Sequence, residues 1–223
     1  MLKFLILVCS LCLITHPGLY AADFSTSADT GDDSDYLQRL NQFVLPVFEN
    51  DLWLQHPLTQ SQLPGDRVVL LHHFDSCDET FYHTLPYLKV WWQRYRDLGL
   101  LLVGIHSSRY ADCSTTENIQ YGLHRLGIDW PVYNDAQRQL LQPWAGRHTL
   151  RQWLVDPTGP TVFDHYGDGA YQKLEELMGI SLQKLRPGVT LPTAATRQRP
   201  EDHPNVVVYP ATAKMQFGHA WDA

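Results

Sequence analysis

The sequence predicts an α/β fold in which a central mixed sheet is flanked by helices. Two apolar runs, residues 68–71 and 100–105, have the length of buried strands, and apolar residues at helical spacing follow each of them. A strand, helix, strand order of this kind favours a parallel crossover. The segment Asp156-Pro157-Thr158-Gly159 lies between two short apolar runs and predicts an antiparallel hairpin.

The remaining elements follow from the same periodicities. On the first long helix, apolar residues step by three and four, which puts Trp92 on the apolar stripe and Trp91 beside it. Pro46 should interrupt a short lead-in helix. The predicted order is a lead-in helix at 36–48, strand 68–71, the long helix at 81–95, strand 100–105, a helix near 119–126, strand 131–133, helix 136–144, strands 153–155 and 161–163, and helix 171–178.

Composition narrows the possible partners. The 223 residues carry a formal net charge of -7, and no lysine or arginine cluster concentrates positive potential. Nucleic acids and anionic membranes are therefore excluded as expected partners. The length and the 44% hydrophobic content suit one folded domain with extensions.

The two ends of the chain are interpreted as extensions of that domain. Residues 1–21 have the pattern of a secretory signal peptide, because Lys3 precedes an apolar stretch that is too short to span a bilayer. We expect an acidic linker at 22–34, the folded domain at 35–186 and a Pro-rich tail at 187–223. The mature chain should be periplasmic or secreted, with no membrane span.

Cleavage of the signal peptide leaves Cys77 and Cys113, an even pair in an oxidising compartment. Ser76 with Glu79, and Ser114 with Glu117, fit the capping box of a helix N-terminus. Cys77 would then be the first helical residue, and Cys113 would precede the second cap. Both cysteines should lie on adjacent loops at the carboxyl ends of parallel strands. This placement allows a structural or redox-active disulfide, although the sequence does not fix the Cα separation that a disulfide needs.

Several motifs resemble TlpA-like thioredoxin domains, above all those of proteins with NHL repeats. They are residues 57–71 (PLTQSQLPGDRVVLL), 117–119 (ENI), 127–135 (GIDWPVYND) and 154–159 (LVDPTG), in the order that the family shows. The resemblance implies a thioredoxin-like fold and an exported thiol-disulfide oxidoreductase.

The family's two active cysteines fall here on Asp78 and Phe81, or, with a slip of one residue, on Cys77 and Thr80. In either alignment the C-x-x-C dithiol is absent. The family's cis proline is also replaced, since the corresponding segment reads His148-Thr149-Leu150-Arg151.

Three functions stay open. The first is monothiol exchange at Cys77, with Thr80 in place of the family's second active cysteine and Cys113 as a distant resolving thiol. The acidic neighbours of Cys77 count against this function, because negative charge raises the pKa of a thiol. The second is a noncatalytic interaction protein with a structural Cys77–Cys113 disulfide. The third is a copper or zinc carrier that uses His73, His106 and Cys77. No cofactor is expected, and the predicted partner is another exported protein bound through a thiol or disulfide.

Overall fold

The computed structural model describes residues 33–63, 66–140 and 150–203. It contains four helices and six strands within these ranges, together with short 3-10 turns. The helices are α1 (Asp33–Gln42), α2 (Glu79–Tyr95), α3 (Thr116–Arg125) and α4 (Tyr171–Leu185), and the strands are β1 (Trp53–Gln55), β2 (Val68–Phe74), β3 (Leu100–His106), β4 (Val132–Asn134), β5 (Arg151–Val155) and β6 (Thr161–Tyr166).

The strands form one mixed sheet in the order β1-β4-β3-β2-β5-β6. The strand β2 runs parallel to β3, and β3 runs parallel to β4. The other neighbours are antiparallel. The predicted α/β class with a mixed central sheet is confirmed.

The sheet is buried on both faces, which explains why its central strands are continuous apolar runs rather than alternating ones. Every residue of β2 and β3 is buried. One face packs against apolar side chains of α2, α3 and α4. The other face is covered by the irregular chain between α1 and β2, through Phe43, Phe48 and Leu63.

Some element boundaries differ from the prediction. The helix α1 ends before Phe43, and α4 continues to Leu185. The strand β1 was not predicted because it is only three half-buried residues long; the Gln55 side chain holds it by donating to the carbonyls of Ile128 and Trp130.

The helix predicted at residues 136–144 is not present over residues 136–140, and the rest of that range lies outside the described residues. A turn replaces it, because the Asp135 carboxylate accepts the backbone N–H groups of Gln139 and Leu140. Arg138 within this turn adopts a left-handed backbone with φ 55°.

The segment 187–203, within the predicted Pro-rich tail, crosses α2 and α4. Ala195 donates its backbone N–H to both oxygens of the buried Glu175 carboxylate, at 2.8 and 3.0 Å. The Arg94 side chain donates to the Thr193 carbonyl. We call this segment the strap.

Trp91 is fully buried, so its predicted place off the apolar stripe of α2 was wrong, whereas Trp92, predicted on that stripe, is half-buried and packs against the core. The buried face is wider than the predicted stripe, because α4 packs beside α2 and stacks Tyr171 on Tyr87 at 3.8 Å between ring centroids. Within the described ranges, no helix combines the length and the apolar composition that a membrane crossing requires.

Candidate redox site at the edge of the sheet

The carboxyl ends of β2 and β3 lie side by side, because Phe74 pairs with His106 in the parallel register. Cys77 follows the first strand and Cys113 follows the second. The structure joins them in a disulfide with a Cα–Cα distance of 6.4 Å, within the range that disulfides span. Cys77 is exposed and Cys113 is half-buried.

The cap of α2 is not the predicted Ser76–Glu79 box. Asp78 is the N-cap, and its Oδ1 accepts the backbone N–H of Thr80 at 3.0 Å and the Thr80 hydroxyl at 2.7 Å. Asp caps a helix as well as Ser does, and Asp78 stands next to the first helical residue. Cys77 therefore lies before the helix rather than in its first turn. The Thr80 hydroxyl is used by this cap.

The second predicted box, Ser114 with Glu117, is also wrong. Thr115 caps α3 by accepting the backbone N–H of Asn118. Ser114 instead donates its hydroxyl to the Tyr110 carbonyl at 2.8 Å, because Ser114 closes the short 3-10 turn Ala111–Cys113. Cys113 ends this turn.

Asp75 connects the two loops that carry the cysteines. Its Oδ1 accepts the backbone N–H of Cys77 at 2.9 Å, while its Oδ2 accepts the Ser108 hydroxyl at 2.9 Å and the backbone N–H of Arg109 at 3.3 Å. The side chain is only 1% exposed. Burial raises the pKa of Asp75 above its usual value, while its hydrogen bonds oppose that shift.

The surroundings of Cys77 are acidic. Asp75, Asp78 and Glu79 lie within two residues of it. Arg109 offsets part of this charge, with its Nη2 4.0 Å from Asp78 Oδ2. Negative charge of this kind disfavours a thiolate.

Three histidines near this edge are buried and uncharged at neutral pH. Burial lowers the pKa of His72 and His73 to about 3 and that of His106 to about 4. His73 bonds the Ser107 hydroxyl, and His106 Nε2 bonds the Ser76 hydroxyl at 3.0 Å. His72 stacks on two phenylalanines, Phe74 and Phe81.

The structure does not assemble the suggested copper or zinc ligands. His73 pairs with Ile105, whereas His106 pairs with Phe74 one position further along, so the two histidines point to opposite faces of the sheet. Among the described residues, no group of three or more metal-ligating side chains is placed to hold an ion.

Both cysteines were predicted from the sequence, but the role of Asp75 as a hydrogen-bond acceptor for both loops was not. Its bond to the Cys77 N–H is an Asx turn, a local pattern that Asp-x-x sequences permit. Its bonds to Ser108 and Arg109 are long-range and had no sequence signal.

The chain is similar to several curated proteins, and it spans about a fifth of the length of the first two named here. The chain is 28% identical over 156 residues to DipZ of Mycobacterium tuberculosis, which covers 70% of this chain and 22% of that protein. NHL repeat-containing protein 2 of Bos taurus is 30% identical over 156 residues, again over 22% of its own length. The thiol-disulfide oxidoreductase YkuV of Bacillus subtilis is 21% identical, and 93% of it is covered.

Solved structures share the fold. A thioredoxin-like protein in its oxidised form superposes with a TM-score of 0.56 at 20% identity, over 64% of this chain and 98% of that one. A thiol-disulfide isomerase from Corynebacterium glutamicum gives 0.53 at 21% identity, over 61% and 96%. No protein-family model matches the chain. The chain therefore contains a domain with the thioredoxin-like fold, which is similar in sequence to YkuV and to parts of DipZ and NHL repeat-containing protein 2.

Proposed function

We propose that this chain is an exported thiol-disulfide exchange protein whose redox pair is Cys77 and Cys113. The observation that carries the proposal is the Cys77–Cys113 disulfide itself, which lies at the carboxyl edge of a thioredoxin-like sheet with Cys77 exposed. The pair takes the place of a C-x-x-C turn by using two neighbouring loops.

The different exposure of the two cysteine residues suggests their roles. In the reduced protein, the Cys77 thiolate attacks a substrate disulfide, which forms a mixed disulfide and releases one substrate thiolate. The half-buried Cys113 thiolate then attacks the Cys77 sulfur, which restores the Cys77–Cys113 bond and releases the second substrate thiolate. Two electrons pass to the substrate, and an exported dithiol donor must return the protein to its reduced form.

The charge around Cys77 sets the direction of this exchange. Because Asp75, Asp78 and Glu79 disfavour a thiolate, they destabilise the reduced, ionised pair relative to the disulfide. The pair should therefore act as a reductant of other disulfides, and it should react slowly at neutral pH, since the thiolate is the attacking species.

The proposed export has two supports. Residues 1–21 have the pattern of a signal peptide, and a disulfide between loops persists in oxidising compartments. The mass of the protein purified from outside the cytoplasm tests this point. A chain that begins at Ala22 agrees with export, and an intact N-terminus in a cytoplasmic fraction contradicts it.

The acidic neighbours of Cys77 also favour a second candidate, a noncatalytic interaction protein in which the same disulfide is permanent. A disulfide whose thiols ionise poorly exchanges slowly and resists reduction. In that case the fold would present a rigid surface to a partner, and the bond would contribute only stability.

A trapping experiment separates the two candidates. Cys113→Ser removes the resolving thiol, so Cys77 should accumulate as a mixed disulfide with a disulfide substrate such as insulin. Cys77→Ser should accumulate none. Thr80→Ala in the Cys113→Ser background is the matched control, and it should trap as well as its parent because the Thr80 hydroxyl only donates to Asp78, the N-cap of α2. Exchange is refuted if reduced wild-type protein does not reduce insulin and Cys113→Ser traps nothing.

A further inference from the structure

We propose that Asp75 is a positioning residue that keeps Cys77 and Cys113 adjacent after their disulfide is reduced. The inference deepens the proposed exchange function, on which its biological meaning rests. It stands on the contacts that one buried carboxylate makes with both cysteine-bearing loops.

The carboxylate of Asp75 receives donors from two directions. The backbone N–H of Cys77 comes from its own loop, at 2.9 Å. The Ser108 hydroxyl and the Arg109 N–H, at 2.9 and 3.3 Å, come from the loop after β3. Hydrogen bonds to an ionised, buried acceptor are stronger than those between neutral groups, so this link between the loops is well fixed.

None of these bonds involves a sulfur atom. The bond to Cys77 uses its main chain, and the two other donors precede Cys113 by four and five residues. Breaking the disulfide therefore leaves the Asp75 link intact. The two thiols stay on loops that remain joined, which raises the effective concentration of one thiol at the other.

A second bond supports the same geometry without replacing it. The Ser76 hydroxyl contacts His106 Nε2 at 3.0 Å, which ties the first loop to the end of β3. That contact stops at the strand, whereas Asp75 reaches past it into the loop that leads to Cys113. Asp75 thus hydrogen-bonds both loops through one carboxylate, and the longer contact between Arg109 and Asp78, at 4.0 Å, runs between the same two loops.

The test measures the equilibrium between the Cys77–Cys113 disulfide and dithiothreitol in the full-length protein. In Asp75→Asn, an NH2 donor replaces one of the two carboxylate oxygens, so the side chain cannot accept all three hydrogen bonds. We expect the effective concentration of the thiol pair to fall about tenfold or more, which is a shift of about 30 mV in reduction potential. Re-formation of the disulfide after reduction should slow in proportion.

Two measurements separate positioning from charge. At about pH 7 the thiols are mostly protonated, so removing the Asp75 charge has little direct effect there, whereas near pH 9 it adds to the positioning effect. Ser108→Ala keeps the charge and removes one bond. It should shift the equilibrium in the same direction by about twofold to fivefold at both pH values.

Asp156→Asn is the matched control. Asp156 is also 1% exposed and accepts bonds from Thr158 and Ser181, but it lies in the β5–β6 turn. It should lower stability without changing the thiol equilibrium. An equal shift in Asp156→Asn, or a shift below twofold in both Asp75→Asn and Ser108→Ala, overturns the proposal.

Dithiothreitol is a small thiol, so this readout does not depend on a protein substrate. If wild-type protein fails to reduce insulin while Asp75→Asn still shifts the equilibrium, the exchange function is wrong and the positioning role stands. If insulin is reduced but neither variant shifts the equilibrium, the positioning role is wrong. If Asp75→Asn does not fold, Ser108→Ala decides.

Discussion

Replacement of Cys77 and Cys113 by serine should lower the free energy of unfolding by about 4 kcal/mol. The disulfide closes a loop with a sequence separation of 36. In the chain-entropy description, opening such a loop returns about 13 cal/mol/K to the unfolded chain, which is about 4 kcal/mol at room temperature. The folded state should change little, because Asp75 still joins the two loops.

Urea unfolding of Cys77→Ser, Cys113→Ser and the double variant measures this value. Either single change already opens the loop, so each should cost nearly the full amount, and the double variant should cost about the same. Losses that add in the double variant would refute the loop-entropy reasoning. A double variant within about 1 kcal/mol of the wild type would refute the magnitude.

Three further changes test the buried polar groups. Glu175→Gln replaces Oε2, which accepts the Ala195 N–H, by an amide NH2 donor, so two donors then face each other. The change should cost about 1–3 kcal/mol in urea unfolding and speed proteolysis of the strap; equal proteolysis would contradict the role of Glu175. Arg151→Met leaves Asp164 as an unpaired buried charge and should lower the free energy of unfolding by about 3–5 kcal/mol. Adding Asp164→Leu to the same chain should restore most of that loss; losses that add in the double variant would contradict this pairing. His72 stays neutral when folded, with a pKa of about 3, whereas in the unfolded chain it gains a proton below about pH 6.5. The contribution of His72 to the free energy of unfolding is therefore fully present above about pH 6.5. It is lost as pH falls below that value, by up to about 1.4 kcal/mol per pH unit. His72→Phe should reduce this dependence of the urea midpoint on pH, and an unchanged dependence would show that His72 does not cause it.

The sequence predicted the sheet well because its signals are local. The runs at 68–71 and 100–105 each lie within a strand that is buried throughout, so every residue in the run is apolar and indicates a buried position. The Pro-Gly turn after Asp156 likewise marks the hairpin between β5 and β6.

Helix starts were predicted less well, because several side chains compete for the same donors. Near α2, both Ser76 and Asp78 can cap, and Asp78 does. Near α3, Ser114 and Thr115 compete, and Ser114 bonds backward to Tyr110. A capping pattern shows that a helix begins nearby, but it does not decide the residue.

The site and the strap depend on contacts between distant residues. The sequence placed Cys77 and Cys113 on neighbouring loops but could not fix the distance between them, which is 6.4 Å at the Cα atoms. The link from Asp75 to Ser108 and the link from Glu175 to Ala195 span 33 and 20 residues. No periodicity reports pairs of this kind.

The layers that cover the two faces of the sheet should separate from it at different costs in free energy. Three helices cover one face, whereas irregular chain between α1 and β2 covers the other through a few aromatic contacts, such as Phe43 stacked on Trp153 at 4.7 Å. Segments with few regular hydrogen bonds open locally before the whole domain unfolds. Trp153 lies on the second face and Trp91 on the first. Because the chain has seven tryptophans, variants that keep only Trp153 or only Trp91 are needed. Their fluorescence can distinguish local opening of the chain between α1 and β2 from loss of the helical layer.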